Sequence, residues 1–299
     1  MTVRPPAFAG MFYPADVAAC RALARSYVTD VPGGHDVGLR SWIGGIVPHA
    51  GWICSGAVAG QTIAALAAAR SRAGRRAPDL VVVFGAVHSA TPLASAALDA
   101  NARWDVPGGS SPLSEELERR LLEAHSSRFR VDERFHRREH AVEVELPLIQ
   151  AAWPGATILP IEVPAIETAG QIGIATAREV EKAGQSAIYL ASSDLTHYGA
   201  AYGFVPVGTG AQALEWAKSN DRRLLDLVLD LAVDEIVPES TSRLNACGGG
   251  AIAAMLAACR EAGATGGELL RHTNSYETLA IVAPQNGENA VGYASVVIG

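Results

Sequence analysis

Short apolar runs, each cut off by a polar cluster, recur along the chain, and longer helical periodicities fill the intervals. The clearest run is Leu80-Val81-Val82-Val83-Phe84. It is apolar on both faces, as a strand inside a parallel sheet must be. Ile43 to Val47, Thr157 to Val163 and Ala187 to Ala191 read the same way. Between them, Asp16 is placed to cap a helix with Val17, Cys20, Leu23 and Tyr27 on one stripe. An alanine-rich stretch from Ser55 through Arg70, with few charges, predicts a largely buried helix. Another helix starts near Ser114, where Glu115 and Glu116 complement the helix dipole, and Glu167 to Ala183 predicts a third.

Trp104 to Ser111 is rich in Gly, Pro and Ser and predicts a loop. Two helical stretches follow later, Gly210 to Ser219 and Asp221 to Val233, and then a loop reaching Asn245-Ala246-Cys247-Gly248-Gly249-Gly250. A helix from there is stopped by Gly263, and strands around Leu269 to His272 and Val291 to Ile298 complete the order. Strand and helix alternate with no linker, repeat or low-complexity segment. The expectation is one α/β domain over residues 1–299, a three-layer sandwich with a mostly parallel central sheet.

Composition narrows the partners. A hydrophobic content of 49% and a charged content of 18% leave ample material for a core. The net charge of −7 argues against nucleic acid, whose phosphates call for clustered Lys and Arg. The densest basic stretch, Arg70 to Arg76, falls between a helix and a strand and reads as a solvated connection. Cys20, Cys54, Cys247 and Cys259 are too irregularly spaced for a disulfide framework. Cys20 and Cys259 fall on apolar helix faces and read as core. The first residues lack the apolar centre of a signal peptide, and no apolar run approaches the ~18 residues that span a bilayer. The expected setting is cytoplasmic, with no membrane partner.

Three polar constellations stand just after apolar strands: His49, His88, and the pair Asp194 and His197. Strand carboxyl ends in a parallel sheet share one edge, so these residues can converge without a local motif. Imidazoles beside an anionic group make a transition-metal site. Cys247 is the candidate anion, because it precedes three glycines and a helix start, where backbone N–H groups lower a thiol's pKa. It reads equally well as a small buried hydrophobe. The glycines could also cradle a phosphate, although no nucleotide fingerprint accompanies them. Asp194 could orient or charge His197 for acid–base work, point with it at a metal, or cap the next turn. His140 is expected in the pocket, with Glu143 and Glu145 on a helix surface or supporting it. The spacing is not that of an HExxH zinc motif, since Leu146 and Pro147 occupy the needed positions.

Taken in order, five elements resemble the Memo family, which includes the bacterial proteins called AmmeMemoRadiSam system protein B. They are Pro48-His49-Ala50-Gly51-Trp52, Gly85-Ala86-Val87-His88, Glu139-His140-Ala141-Val142-Glu143-Val144-Glu145-Leu146-Pro147, Ser192-Ser193-Asp194-Leu195-Thr196-His197-Tyr198-Gly199 and Cys247-Gly248. Gly10-Met11-Phe12-Tyr13-Pro14 and Val291-Gly292-Tyr293-Ala294 resemble that family's two ends, so the likeness spans essentially the whole chain. It implies a fold similar to the class III, LigB-type extradiol dioxygenases, which are non-haem Fe(II) enzymes. It also implies His49, His88 and Cys247 as metal ligands, with Asp194 and His197 lining the cleft and His140 near it. Three positions depart from the family pattern. Ser89 stands where a second His is usual, Trp52 where Tyr is usual, and Glu145 where Gln or His is usual. These changes fall in the pocket wall and point to a substrate other than a typical member's.

The expected function is a metal-dependent oxygenase acting with dioxygen on a small phenolic, catecholic or related heteroaromatic substrate. Fe(II) is the expected metal, with Cu or Zn as alternatives. His197 or His140 would take a proton from the substrate hydroxyl and return it later, and Asp194 would tune that histidine. A thiolate donor also suits copper(I) and zinc. It therefore leaves open a copper- or iron-binding redox or peptide-binding adaptor, and a zinc-dependent hydrolase working through an activated water.

Overall fold

The computed structural model describes residues 2–29, 41–280 and 289–299. Along the strand Leu80–Gly85, side chains alternate between two cores. Leu80, Val82 and Phe84 join the cluster packed under the helices Ala169–Lys182, Ala211–Leu229 and Gly249–Glu261. Val81 and Val83 join the cluster under Val17–Thr29, Trp52–Arg72 and Leu146–Ala152. Apolar residues at every position of this strand are thus explained by helices on both faces. The architecture is the expected α/β three-layer sandwich.

Among the described residues the central sheet has nine strands. Four neighbours at its centre run parallel, in the order Gly44–Val47, Ala187–Ser192, Leu80–Gly85, Thr157–Glu162. Antiparallel pairs flank them, through Asn289–Ile298 on one side and Ala96–Leu98 on the other. Register sets Val47, Ser192, Gly85 and Glu162 side by side as the last residues of their strands. Everything that follows these four residues therefore starts from one line.

Two expectations are corrected. Trp104 to Ser111 is not a loop but most of a hairpin, Arg103–Val106 paired with Gly109–Pro112. The turn residues Pro107 and Gly108 (φ +101°) account for the loop-like composition, while Trp104 and Val106 are buried. The two helical stretches around residue 220 are one helix, Ala211–Leu229, followed by Val233–Arg243 where a loop was expected. Asn220 and Asp221 do not end the first helix, because their side chains are spent on Thr196 and Arg243 from within the core. The break falls instead at Leu231, whose φ is +54°.

Arg70 also departs from the solvated reading. It is buried, and its guanidinium donates to Ser186 Oγ (2.8 Å) and the Arg76 carbonyl (2.9 Å), while Arg72, Arg75 and Arg76 are exposed. Cys20 and Cys259 are buried in the core, as expected. Among the described residues, one helix, Trp52–Arg72, is long and apolar enough to cross a membrane, and 67% of its apolar window is buried inside the protein. Core packing accounts for its hydropathy.

Candidate metal centre

The site grows out of the line of strand ends. Two residues past Val47, the backbone N–H of His49 donates to Asp194 Oδ1 (2.8 Å). The ring Nδ1 meets Ser192 Oγ at 2.9 Å, and that hydroxyl already donates to the Ala141 carbonyl at 2.6 Å. Ser192 therefore accepts from His49 Nδ1–H, so in the neutral ring Nε2 is the nitrogen that bears the lone pair. Nε2 lies 3.2 Å from Cys247 Sγ.

His88 is fixed in the same manner by a carboxylate. Glu139 accepts from His88 Nδ1 (2.8 Å) and from its backbone N–H (2.9 Å), and also from the backbone N–H of His140 (2.8 Å). One buried carboxylate thus organises two imidazoles, whose rings stack at 4.5 Å. His49 stands edge-on to both, at 5.1 Å. One ring nitrogen from each of His49, His88 and His140 lies within 4.8 Å of the others.

Cys247 enters from the loop before the helix Gly249–Glu261. Gly248 donates its N–H to Ser193 Oγ (2.9 Å), and a Cβ at this position would lie 2.7 Å from Ser193 Cβ. Only glycine allows that approach. Sγ in turn receives the Asp194 backbone N–H at 3.3 Å. Burial would raise the thiol, but the His49 and His88 imidazoles outweigh it and bring it down to about 5. The reverse holds for the rings. Burial lowers both, yet Cys247 and Asp194 carry His49 up to about 9, and Cys247 and Glu139 carry His88 up to about 10. Cys247 is therefore a thiolate at neutral pH, the form that binds metals.

The other two histidines differ. Burial, reinforced by the nearby His49 and His88, lowers His140. His197 is raised against its burial by the Asp194 carboxylate and the Cys247 thiolate. Its Nε2 is 3.8 Å from Asp194 Oδ2, beyond hydrogen-bond reach, so the influence is electrostatic. Asp194 itself is held below its ordinary value, despite burial, by His49 and His197.

A family model described as a Memo-like protein matches residues 4–297. The chain belongs to the Memo family. Curated MEMO1 family proteins align along nearly all of it. That of Methanosarcina barkeri is 33% identical over 99% of this chain and 100% of its own, and that of Methanococcoides burtonii is 32% identical over the same shares. A third, from Pyrococcus furiosus, is 31% identical over 99% of each.

In this Memo chain the six residues singled out from the sequence gather at one edge of the sheet. His49, His88 and His140 form the tight group, Cys247 adjoins it through His49, and Asp194 and His197 flank it. Cys54 is partly buried, with burial raising its thiol. Glu143 and Glu145 are not on a helix surface. They lie in a short 3-10 turn, 0% and 1% exposed. Glu143 accepts from Arg4 Nη1 (2.6 Å), the Tyr13 hydroxyl (2.8 Å) and the backbone N–H of Ala7 and Phe8. This fixes the segment whose Phe8 and Phe12 rings pack on His140, at 5.5 and 4.7 Å. Neither oxygen of Glu145 has a hydrogen-bond partner among the described residues.

Sequence reasoning overlooked Ser192 as a histidine partner and Glu139 as the shared carboxylate. The only available signal for Glu139 was an acid directly preceding His140 in the family element.

Proposed function

We propose that this Memo protein is a metal-dependent oxygenase of small phenolic, catecholic or related heteroaromatic compounds, with Fe(II) held by His49, His88 and Cys247. The observation that carries this reading is the donor set itself: a thiolate 3.2 Å from His49 Nε2, grouped with two further imidazoles. Bond lengths of roughly 2.0–2.1 Å to nitrogen and 2.3 Å to sulfur put two ligands of one tetrahedral ion about 3.5 Å apart, so the spacing suits a shared ion. The second nitrogens of His49 and His88 are tied to Ser192 and Glu139, the kind of support that orients metal-ligating imidazoles. His140 offers a further nitrogen to the same space.

When bound, Fe(II) would pass electrons from the substrate to dioxygen and make a phenolic hydroxyl more acidic. The protein's own groups handle the protons. His140, kept neutral by burial and by its imidazole neighbours, is suited to accept the hydroxyl proton. His197, whose basicity Asp194 increases, is suited to hold a proton and deliver it to the reacting oxygen. Pushing two like groups apart in this way is how acid and base roles are divided.

Protein purified without oxygen is expected to retain iron and to consume oxygen when given catechols or aminophenols. Replacing His49, His88 or Cys247 by alanine is expected to abolish metal retention, measured by metal analysis. Iron-loaded protein that consumes no oxygen with any such compound would sink the reading. The thiolate donor favours one rival, a zinc hydrolase. Hydrolysis restored by Zn(II) alone would select it.

A further inference from the structure

Beside the metal centre lies a cavity of about 270 Å³. Its polar end is made by Cys247 and His197. Leu195, Tyr202, Phe204, Leu244 and Ala246 make the rest, and none of these carries a charge. Two of the apolar side chains are unusually open to solvent, Tyr202 at 46% and Leu244 at 56%. Tyr202 leans on the His197 ring, centroids 5.0 Å apart. Leu244 caps the helix Val233–Arg243 in the left-handed region, with φ +53°. Glycine is the residue that relaxes at such a helix end. The chain instead holds a branched apolar side chain there, at the cavity.

We infer that this cavity receives the half of the substrate that points away from the reacting hydroxyls, and that it selects aromatic compounds whose distal end is apolar and uncharged. The inference rests on the oxygenase reading and names the substrate class for it. The volume falls just under the ~300–1,000 Å³ of pockets for drug-sized ligands, which gives room for one ring or two fused rings. His197 Nε2 is buried and has no hydrogen-bond partner among the described residues, so a substrate hydroxyl entering from the cavity can supply one. At the other end the lining offers a carboxylate no cation, whereas an apolar group there would cover the exposed faces of Tyr202 and Leu244.

Two catechols that share the reacting edge and differ at the far end test this: 4-tert-butylcatechol and 3,4-dihydroxybenzoate. Binding to iron-loaded protein is measured by calorimetry under anaerobic conditions. The butyl compound is expected to bind about tenfold more tightly or better, the scale on which an apolar pocket discriminates. Leu244→Lys is expected to reverse that order by supplying the missing cation. Tyr202→Lys takes its place if the first variant does not fold, as judged by circular dichroism and iron content. Equal affinities in the parent, or a ratio unchanged by the lysine, would overturn the subsite and leave the oxygenase reading standing. Failure of iron-loaded parent to bind either catechol would remove both.

Discussion

Glu143 and Glu145 sit two residues apart in one turn, equally hidden from solvent, and face opposite surroundings. On the Glu143 side a guanidinium, a phenol and two backbone N–H groups converge on one carboxylate. On the Glu145 side neither oxygen has a partner among the described residues, and burial raises the group well above the usual carboxylate range. His49 pulls against that rise and Asp194 adds to it. Burial alone therefore does not decide what a carboxyl does; the donors around it do. One acid ties down the N-terminal segment over His140, and the other, biased by burial toward its protonated form, lies within electrostatic reach of His49 and Asp194.

Breaking the paired side is expected to have the largest effect. Glu143→Ala leaves Arg4, itself 3% exposed, as an unmatched buried cation. The expected loss is about 3–5 kcal/mol in urea unfolding, the cost of breaking a buried ion pair from one side. A loss below about 1 kcal/mol would mean that Arg4 finds other company and that the contrast with Glu145 is weaker than it looks.

The unpaired side should respond more gently and with pH. Folded Glu145 keeps a proton that the unfolded chain releases above the usual carboxylate range. Its contribution to stability is thus full at acid pH and falls as pH rises through that range. Glutamine cannot ionise, so Glu145→Gln is expected to match the parent near pH 4. At pH 8 it should be the more stable, by about 1 kcal/mol or more, since each unit of pKa shift is worth about 1.4 kcal/mol. A parent more stable than the variant at pH 8 would show an ionised Glu145. The smallest effect sets the baseline. Glu123→Gln removes an exposed helical pair with Arg119 (2.6 Å) and is expected to change unfolding by no more than about 0.5 kcal/mol.

The parallel core is legible from sequence because strands covered on both faces must be apolar throughout and turn polar only where they end. Ile43 to Val47, Leu80 to Phe84, Thr157 to Val163 and Ala187 to Ala191 carry that signal plainly, and so do the polar residues that follow three of them. No local pattern reports that Val47, Ser192, Gly85 and Glu162 finish level, because register is a long-range property. Glu139 and Glu143 stayed hidden for the same reason. Their donors include His88 and residues 4–13, so a local reading sees only charges on a turn of helix. Asn220 and Asp221 look like a helix boundary until Thr196 and His272 are seen to be their partners.

The strand Asn289–Ile298 bears on the order in which this molecule comes together. It joins Gly44–Val47, His197–Gly199 and Gly267–Asn274, and Gly292 exchanges hydrogen bonds with Leu195 (2.8 Å) and Thr196 (3.0 Å). A ribosome delivers this strand after every one that it joins. The loop bearing Asp194 and His197 is held by His49, Asp221 and Cys247 as well, so while synthesis is still short of residue 292 it lacks the last of its fastenings. A stalled nascent chain would have the histidines and their hydrogen-bond partners without this closing strand beside Leu195 and Thr196.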